Sequence, residues 1–305
     1  MDPPKQSWGK FQPLLDQLIL SPERFDPISE EIVARVNASE CERGDARTLI
    51  QAVRAIYETA VAASGQPTAA ETCARLCQKM VNRISPAVYE EGVKNTQGKP
   101  IAGGQLFRKY LLSHCREEAE RCWATKARSA GTDTDRMKQA DVRGHGLGLV
   151  RFVGELFLLQ MITERIIHDG YLKRLLPDTA DPTEADVECL CALLTRIGPR
   201  LDTPKARKHM GVYFARMAEM AHGVNVSQRM REMLQGVIKL RARGWLTPGG
   251  PLGDERTKES GWTPTGALAE TSGAAPQAKG GLPLRRPLKA GDLDNFGKPI
   301  RKQNT

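Results

Sequence analysis

The stretch RFVGELFLLQMITERIIHDGYLKRLL, residues 151–176, constrains the fold more than any other part of the chain. At helical spacing Phe152, Leu156, Leu159, Ile162 and Ile166 line one stripe, while Val153, Phe157, Met161 and Ile167 fill the positions beside it. A helix apolar over most of its circumference has to lie between other helices. Its longest uncharged run, Leu156–Thr163, is far short of the roughly 20 residues needed to cross a bilayer, so it is not a membrane span. Arg151 and Glu155, Glu164 and His168, and Asp169 and Lys173 are each four apart, where charges on a helix pair. The stretch reads as the buried spine of an all-helical protein.

The rest of the chain has the same character. Helix-length blocks begin at Phe11, Asp26, Asp45, Thr68, Gly104, Pro182, Thr203 and Asn225, each bounded by Gly, Pro, Ser, Thr or Asn. Ser21-Pro22-Glu23 reads as an N-cap with proline at the first helical position. GVKNTQGKPIAGG, residues 92–104, reads as a loop, and the polar run RSAGTDTDRMKQADVRGHG, residues 128–146, as a linker into the apolar spine. Aromatics are only 5% and Val/Ile alternation is scarce, which argues against a sandwich or barrel. Helices of about four turns with short connections describe a stack of antiparallel pairs. No strict period is visible, so the repeats are degenerate, as in HEAT-type or armadillo-like α-solenoids.

Residues 1–9 are polar and read as loose. Residues 247–305 hold ten glycines and seven prolines without apolar periodicity, and read as a disordered basic tail. The folded part is then residues 10–246.

Forty-five Lys+Arg against thirty-six Asp+Glu give a net charge of +9, which favours acidic partners. Lys205, Arg207 and Lys208 open one C-terminal helix, and Arg229, Arg231, Lys239, Arg241 and Arg243 lie on the last. Stacked helices can merge these into a phosphate-binding ridge for RNA. Seven cysteines, most of them among apolar helical residues, fit reduced thiols in a cytosolic or nuclear protein. Cys73/Cys77 and Cys189/Cys191 lack the C-x-x-C knuckles of a zinc ribbon and read as core. GHGLGL, residues 144–149, lacks the strand that gives a phosphate loop its meaning. Glu155, Glu164, His168 and Asp169 show no metalloprotease or paired-carboxylate spacing and read as helix-pairing groups. Nothing recommends an enzyme, a cofactor or a metal.

Three blocks, RFVGELFLLQMITERIIHD, VECLCALLTRIGPRLD and QRMREMLQGVIKLRARGW, resemble in order and spacing the middle domain of the eukaryotic translation initiation factor 4G family. PLLDQLILSPERFDPISEEI and ETCARLCQKM extend the resemblance to residues 11–246. It implies five HEAT-like helix pairs and a cytoplasmic, non-enzymatic scaffold. The scaffold would bind a DEAD-box helicase of the initiation factor 4A type, together with mRNA and other initiation factors. In that family the two helicase lobes are held in a productive, half-open arrangement. The first helicase-contacting patch falls on Leu15, Leu18 and Phe25, with Ile19 and Leu20 as extra residues between the last two, and a further apolar position falls on Leu147. In the last helix a family phenylalanine falls on Glu232, beside Arg231, so the second patch carries a carboxylate instead. The family's cap-binding-protein motif has no match among the five tyrosines; Tyr171 comes nearest, with Pro177 in the apolar position. The alternative implied by these departures is a regulator of the same fold that sequesters the helicase or serves another mRNA process such as decay.

Overall fold

Amphipathic blocks with good helix formers at their exposed positions give helices almost throughout. A computed structural model describes residues 8–40, 46–62, 67–126, 133–176, 182–223, 225–247 and 250–251. All lie in the first of two units, Met1–Asp254; the second, Glu255–Thr305, contains none of them. The expectation of a loose start therefore falls outside the described residues up to residue 7, and Trp8–Lys10 form a 3₁₀ turn. That of a disordered tail falls outside them except at its start, where Leu246–Thr247 pairs with Gly250–Pro251.

The helices are α1 (Gln12–Leu20), α2 (Phe25–Glu40), α3 (Arg47–Ala62), α4 (Pro67–Arg83), α5 (Gly103–Lys126) and α6 (Asp133–Leu158). They are followed by α7 (Glu164–Ile166), a π turn (Ile167–Leu172), α8 (Lys173–Leu175), α9 (Glu184–Leu201), α10 (Arg207–Ala221) and α11 (Gln228–Ala242). One layer holds α1, α3, α5, the α7–α8 segment and α10; the other holds α2, α4, α6, α9 and α11. Each helix packs on its partner across the layers and on its neighbours within one, which is the five-pair HEAT-like solenoid. The core is continuous from Phe11 to Trp245. Thr183 and Ser227 cap α9 and α11 through their hydroxyls, which accept from Asp186 N at 3.2 Å and Met230 N at 3.3 Å. Ser21 makes no such bond: Pro22–Arg24 is a 3₁₀ turn, and α2 starts at Phe25.

The apolar spine is not one helix. α6 ends at Leu158, and the chain turns through Gln160, whose φ is +60°. Met161 N donates to Leu156 O and Gln160 N to Phe157 O, both at 2.9 Å, which is the paired C-terminal closure usually built on glycine. Arg108 Nη2 donates to Met161 O at 2.9 Å and Gln78 Nε2 to Leu159 O at 3.4 Å, holding the turn from outside. The stripe Phe152–Ile166 thus spans two helices in different layers.

Conversely, the polar run expected to be a linker is helical from Asp133, as part of α6. GHGLGL lies inside that helix. A Cβ at Gly148 would sit 2.5 Å from Val61 O, so the glycine is what lets α6 cross closely over α3. The loop expected at 92–104 is instead largely a β-hairpin, β1 (Tyr89–Lys94) with β2 (Pro100–Ala102), antiparallel with a register shift. Its turn is made by Asn95, whose Oδ1 accepts from Gln97 N and Lys99 N at 2.9 Å each, and by Gly98 at φ +75°.

The carboxylate at position 155 is recruited across helices. Glu155 receives Arg196 of α9 as a two-pronged pair at 2.6 and 2.9 Å. Asp169–Lys173 forms within its own segment as the spacing predicts, at 2.7 Å. Cys73, Cys77, Cys115, Cys122, Cys189 and Cys191 are free and buried. Burial pushes the Cys73, Cys115 and Cys191 thiols up to about 12.

Candidate functional site

The turn between α1 and α2 closes one end of the solenoid. Leu15 and Leu18, expected at the first patch, are 1% and 0% exposed and packed into the core. The reason lies in periodicity: Leu14, Leu15 and Leu18 share the face of α1 that packs inward. The residue that reaches solvent is Leu20, 78% exposed, the last of α1. Phe25 starts α2 and is itself only 9% exposed because cations cover its ring. The Arg75 guanidinium lies 4.4 Å and the Lys79 ammonium 5.7 Å from its centroid. Lys79 is anchored to Asp26 and Glu30, both at 3.1 Å, and Arg83 to Glu30 at 3.0 Å. Hydrogen bonds from Arg83 and Lys79 hold the Glu30 carboxyl below its ordinary range. Leu147, further along on α6, is half-buried against the core.

The opposite end is α11. Glu232 is exposed and accepts from Gln228 Nε2 at 2.8 Å, one turn earlier. Arg231 turns inward, with Nη2 donating to Gly223 O at 3.3 Å and Nε buried without a hydrogen bond among the described residues.

The structure divides the expected basic ridge. Lys205, Arg207, Lys208, Lys239 and Arg243 are exposed and carry no ion pair among the described residues. Arg229 is committed: it donates to Glu184 at 2.9 Å and Glu188 at 3.0 Å. The same two carboxylates also take Arg143 of α6, at 3.3 and 2.5 Å. Two guanidiniums and two carboxylates thus tie α6, α9 and α11 together. The Arg143 bond holds the Glu188 carboxyl low and in return raises the Arg143 guanidinium. Arg241 is committed as well, two-pronged on Asp202 at 2.8 and 3.1 Å and stacked 4.4 Å from the Phe214 ring. Trp245 Nε1 donates to the same carboxylate at 3.3 Å, and the indole covers Gly198, where a Cβ would lie 2.1 Å from the ring. Arg229 and Arg241 are therefore structural cations. Periodicity could not separate them from Lys239 and Arg243, because their partners lie 39 to 45 residues away.

Sequence reasoning missed a buried polar cluster between α3, α5 and α6. Tyr57 Oη lies 3.0 Å from His145 Nε2, and the same nitrogen is 3.5 Å from Glu118. Arg121 adds a 3.0 Å contact to Glu118. The hydrogen bond from His145 holds Glu118 low despite its burial. His114 stands edge-on to Tyr57 with ring centres 4.7 Å apart, and its Nε2 is buried without a hydrogen bond among the described residues. Burial lowers its affinity for a proton. Among the described residues no three His, Cys, Asp or Glu side chains stand together as a metal cage, and no helix is long and apolar enough to cross a membrane.

Comparison with known proteins follows the same outline. The chain is 38% identical over 250 residues to eukaryotic translation initiation factor 4 gamma of Schizosaccharomyces pombe, covering 80% of this chain and 17% of that protein. It is 32% identical over 236 residues to eukaryotic translation initiation factor 4G of Cucumis melo, covering 74% of this chain and 11% of that one. It thus spans less than a fifth of the length of these relatives. A solved MIF4G domain, from the Trypanosoma cruzi translation initiation factor EIF4G5, superposes with a TM-score of 0.47 at 14% identity, over 78% of this chain and 96% of that one. The MIF4G domain pattern itself matches residues 13–244, from within α1 to the glycine that closes α11, and the chain belongs to the MIF4G domain family.

Proposed function

We propose that this solenoid is a translation-initiation scaffold that binds a DEAD-box RNA helicase of the initiation factor 4A type, together with mRNA. The reading rests on the likeness to the initiation factor 4G proteins, and the observation that carries it is Leu20. A leucine 78% exposed at a helix-pair turn, beside a phenylalanine covered by cations, leaves an apolar side chain available to a partner at the end of the stack where the resemblance expects the first contact. Leu20 and Phe25, flanked by Arg75, make the first contact; Leu147 lies between; Arg231 and Glu232 mark the second. Patches at both ends of one rigid stack select the lobe arrangement that satisfies both at once, and the scaffold acts by that selection rather than by chemistry of its own. Lys205, Arg207, Lys208, Lys239 and Arg243 contact RNA phosphates.

The test is the helicase's RNA-stimulated ATPase rate, titrated with the protein and with a Leu20→Ala/Phe25→Ala variant. Stimulation abolished in the variant, with unchanged helicity, supports the reading. Equal stimulation by the variant refutes the first patch. Glu232 favours a second reading. A carboxylate where the resemblance expects an aromatic anchor weakens the second contact, so the protein binds the helicase through one end and sequesters it. Tight binding without stimulation, converted to stimulation by Glu232→Phe, would establish that outcome.

A further inference from the structure

The junction between the α7–α8 segment and α10 holds a pair of histidines that neither the core nor the proposed docking patches use. A π turn, Ile167–Leu172, interrupts the helix there, and His168 lies within it. Such turns are uncommon and cluster at functional sites. His168 Nδ1 lies 3.2 Å from the hydroxyl of Tyr213 on α10. One turn earlier on α10, the His209 ring stands with its centre 5.4 Å from that of His168, the planes inclined by 39°. His168 Nε2 and both ring nitrogens of His209 have no hydrogen-bond partner among the described residues. His209 is exposed and His168 half-buried, so the gap between them opens to solvent.

Two imidazoles bound to one tetrahedral metal at about 2.0–2.1 Å hold their ring centres about 5 Å apart, close to the separation seen. The Tyr213 hydroxyl on Nδ1 is the outer partner that fixes a ligating ring, leaving Nε2 as the donor. Burial first, then the neighbouring His209, holds the His168 ring towards its neutral, ligating form; Glu164, one turn before it, and Asp169 favour a cation there, while Lys173 opposes it. Lys173 is itself held by Asp169 at 2.7 Å, with Arg165 on the same carboxylate at 3.4 Å.

We propose that His168 and His209 form a two-histidine site for a divalent transition metal, with water completing the coordination. The bound ion clips the α7–α8 segment to α10 and so fastens the fourth helix pair to the fifth. Imidazole donors favour nickel, copper, zinc and iron over magnesium and calcium. With two protein ligands the site is open and exchangeable rather than a structural cage.

The test is calorimetric titration of the chelator-treated full chain, carrying Cys41→Ser, with Ni²⁺ at pH 7.5, where the thiols of the described residues, all buried, compete poorly. One ion per chain is expected. His168→Gln and His209→Gln should each weaken binding at least tenfold, and Tyr213→Phe by about 10- to 100-fold although both imidazoles remain. Affinity should fall as the pH drops through the histidine range, because the ligands must be neutral. Mg²⁺ should produce no heat of binding. Absence of Ni²⁺ binding, or binding that survives His209→Gln, overturns the site. His209 is on the surface, so that variant decides the matter even if His168→Gln disturbs the π turn.

Discussion

Two glycines one turn apart on α6 should respond to the same substitution with opposite signs. A Cβ at Gly144 would meet nothing within 4 Å; one at Gly148 would lie 2.5 Å from Val61 O and 2.8 Å from its Cα. Replacing glycine by alanine in a helix interior contributes about 0.8–1.0 kcal/mol through propensity alone. Gly144→Ala should realise that gain in full. At Gly148 the obstructing atoms are the backbone of α3, which cannot rotate aside, so α6 and α3 must separate by most of an ångström. Overpacking of this kind costs about 1–3 kcal/mol, and the rigidity of the obstacle places it at the upper end. Taking about 3 kcal/mol against a propensity gain of about 1 leaves Gly148→Ala destabilised by about 2 kcal/mol. A unit of this size moves by about 2–4 °C per kcal/mol, so Gly144→Ala should melt about 2–4 °C higher and Gly148→Ala about 4–8 °C lower than the parent. Thermal unfolding followed by far-ultraviolet circular dichroism separates the two. Shifts of the same sign would refute the close crossing of α6 over α3.

Leu18→Ala should cost about 2–5 kcal/mol and Leu20→Ala less than about 0.5 in urea unfolding, with the helicase-binding defect following Leu20 only. Glu188→Gln and Arg229→Ala should each destabilise, and the double variant should fall short of the sum, since both disrupt one network; a double-mutant cycle reads the coupling. Burial depresses His114 below its unfolded value of 6.5, so the unfolded chain binds the proton more readily. The stability His114 contributes is complete above that pH and is lost as pH falls below it; Glu118, held below 4.5, extends the loss at lower pH. His114→Gln should flatten the upper part of the melting-temperature profile, and an unchanged profile would remove His114 from this role. Cys73, Cys115 and Cys191 should react with a thiol reagent only at the rate of unfolding, which a comparison of native and urea-denatured protein measures.

The helix blocks were legible because each buries a stripe at a 3.6-residue period, and that period survives in the sequence whatever it packs against. Breaks were legible only where they use residues that signal them. Gln160 adopts the left-handed conformation at the end of α6 without being glycine, so nothing in its identity parted the spine into two helices. Asn95 and Gly98 do signal a turn, but β1 and β2 flanking them are exposed and short, too weak a pattern to distinguish a hairpin from a loop. On the surfaces the limit was pairing. Arg229 and Lys239 look alike along α11, and only the arrival of Glu184 and Glu188 from α9 distinguishes a strut from a free cation. The spacing of Leu15 and Leu18 aligns them with Leu14 on the buried face of α1, a placement that the resemblance alone does not convey.

The shared carboxylates of α9 also determine how a load travels. Arg229 stands two residues before Arg231 and three before Glu232, while Arg143 stands one turn before Leu147. Glu184 and Glu188 hold both arginines, so a pull on α11 tugs on α6 through two links in series. A force applied to the last helix is therefore passed to α6, one turn before Leu147, through charged groups as well as through apolar packing. At high salt that linkage should weaken, while the apolar core that runs from Phe11 to Trp245 keeps the helix pairs stacked.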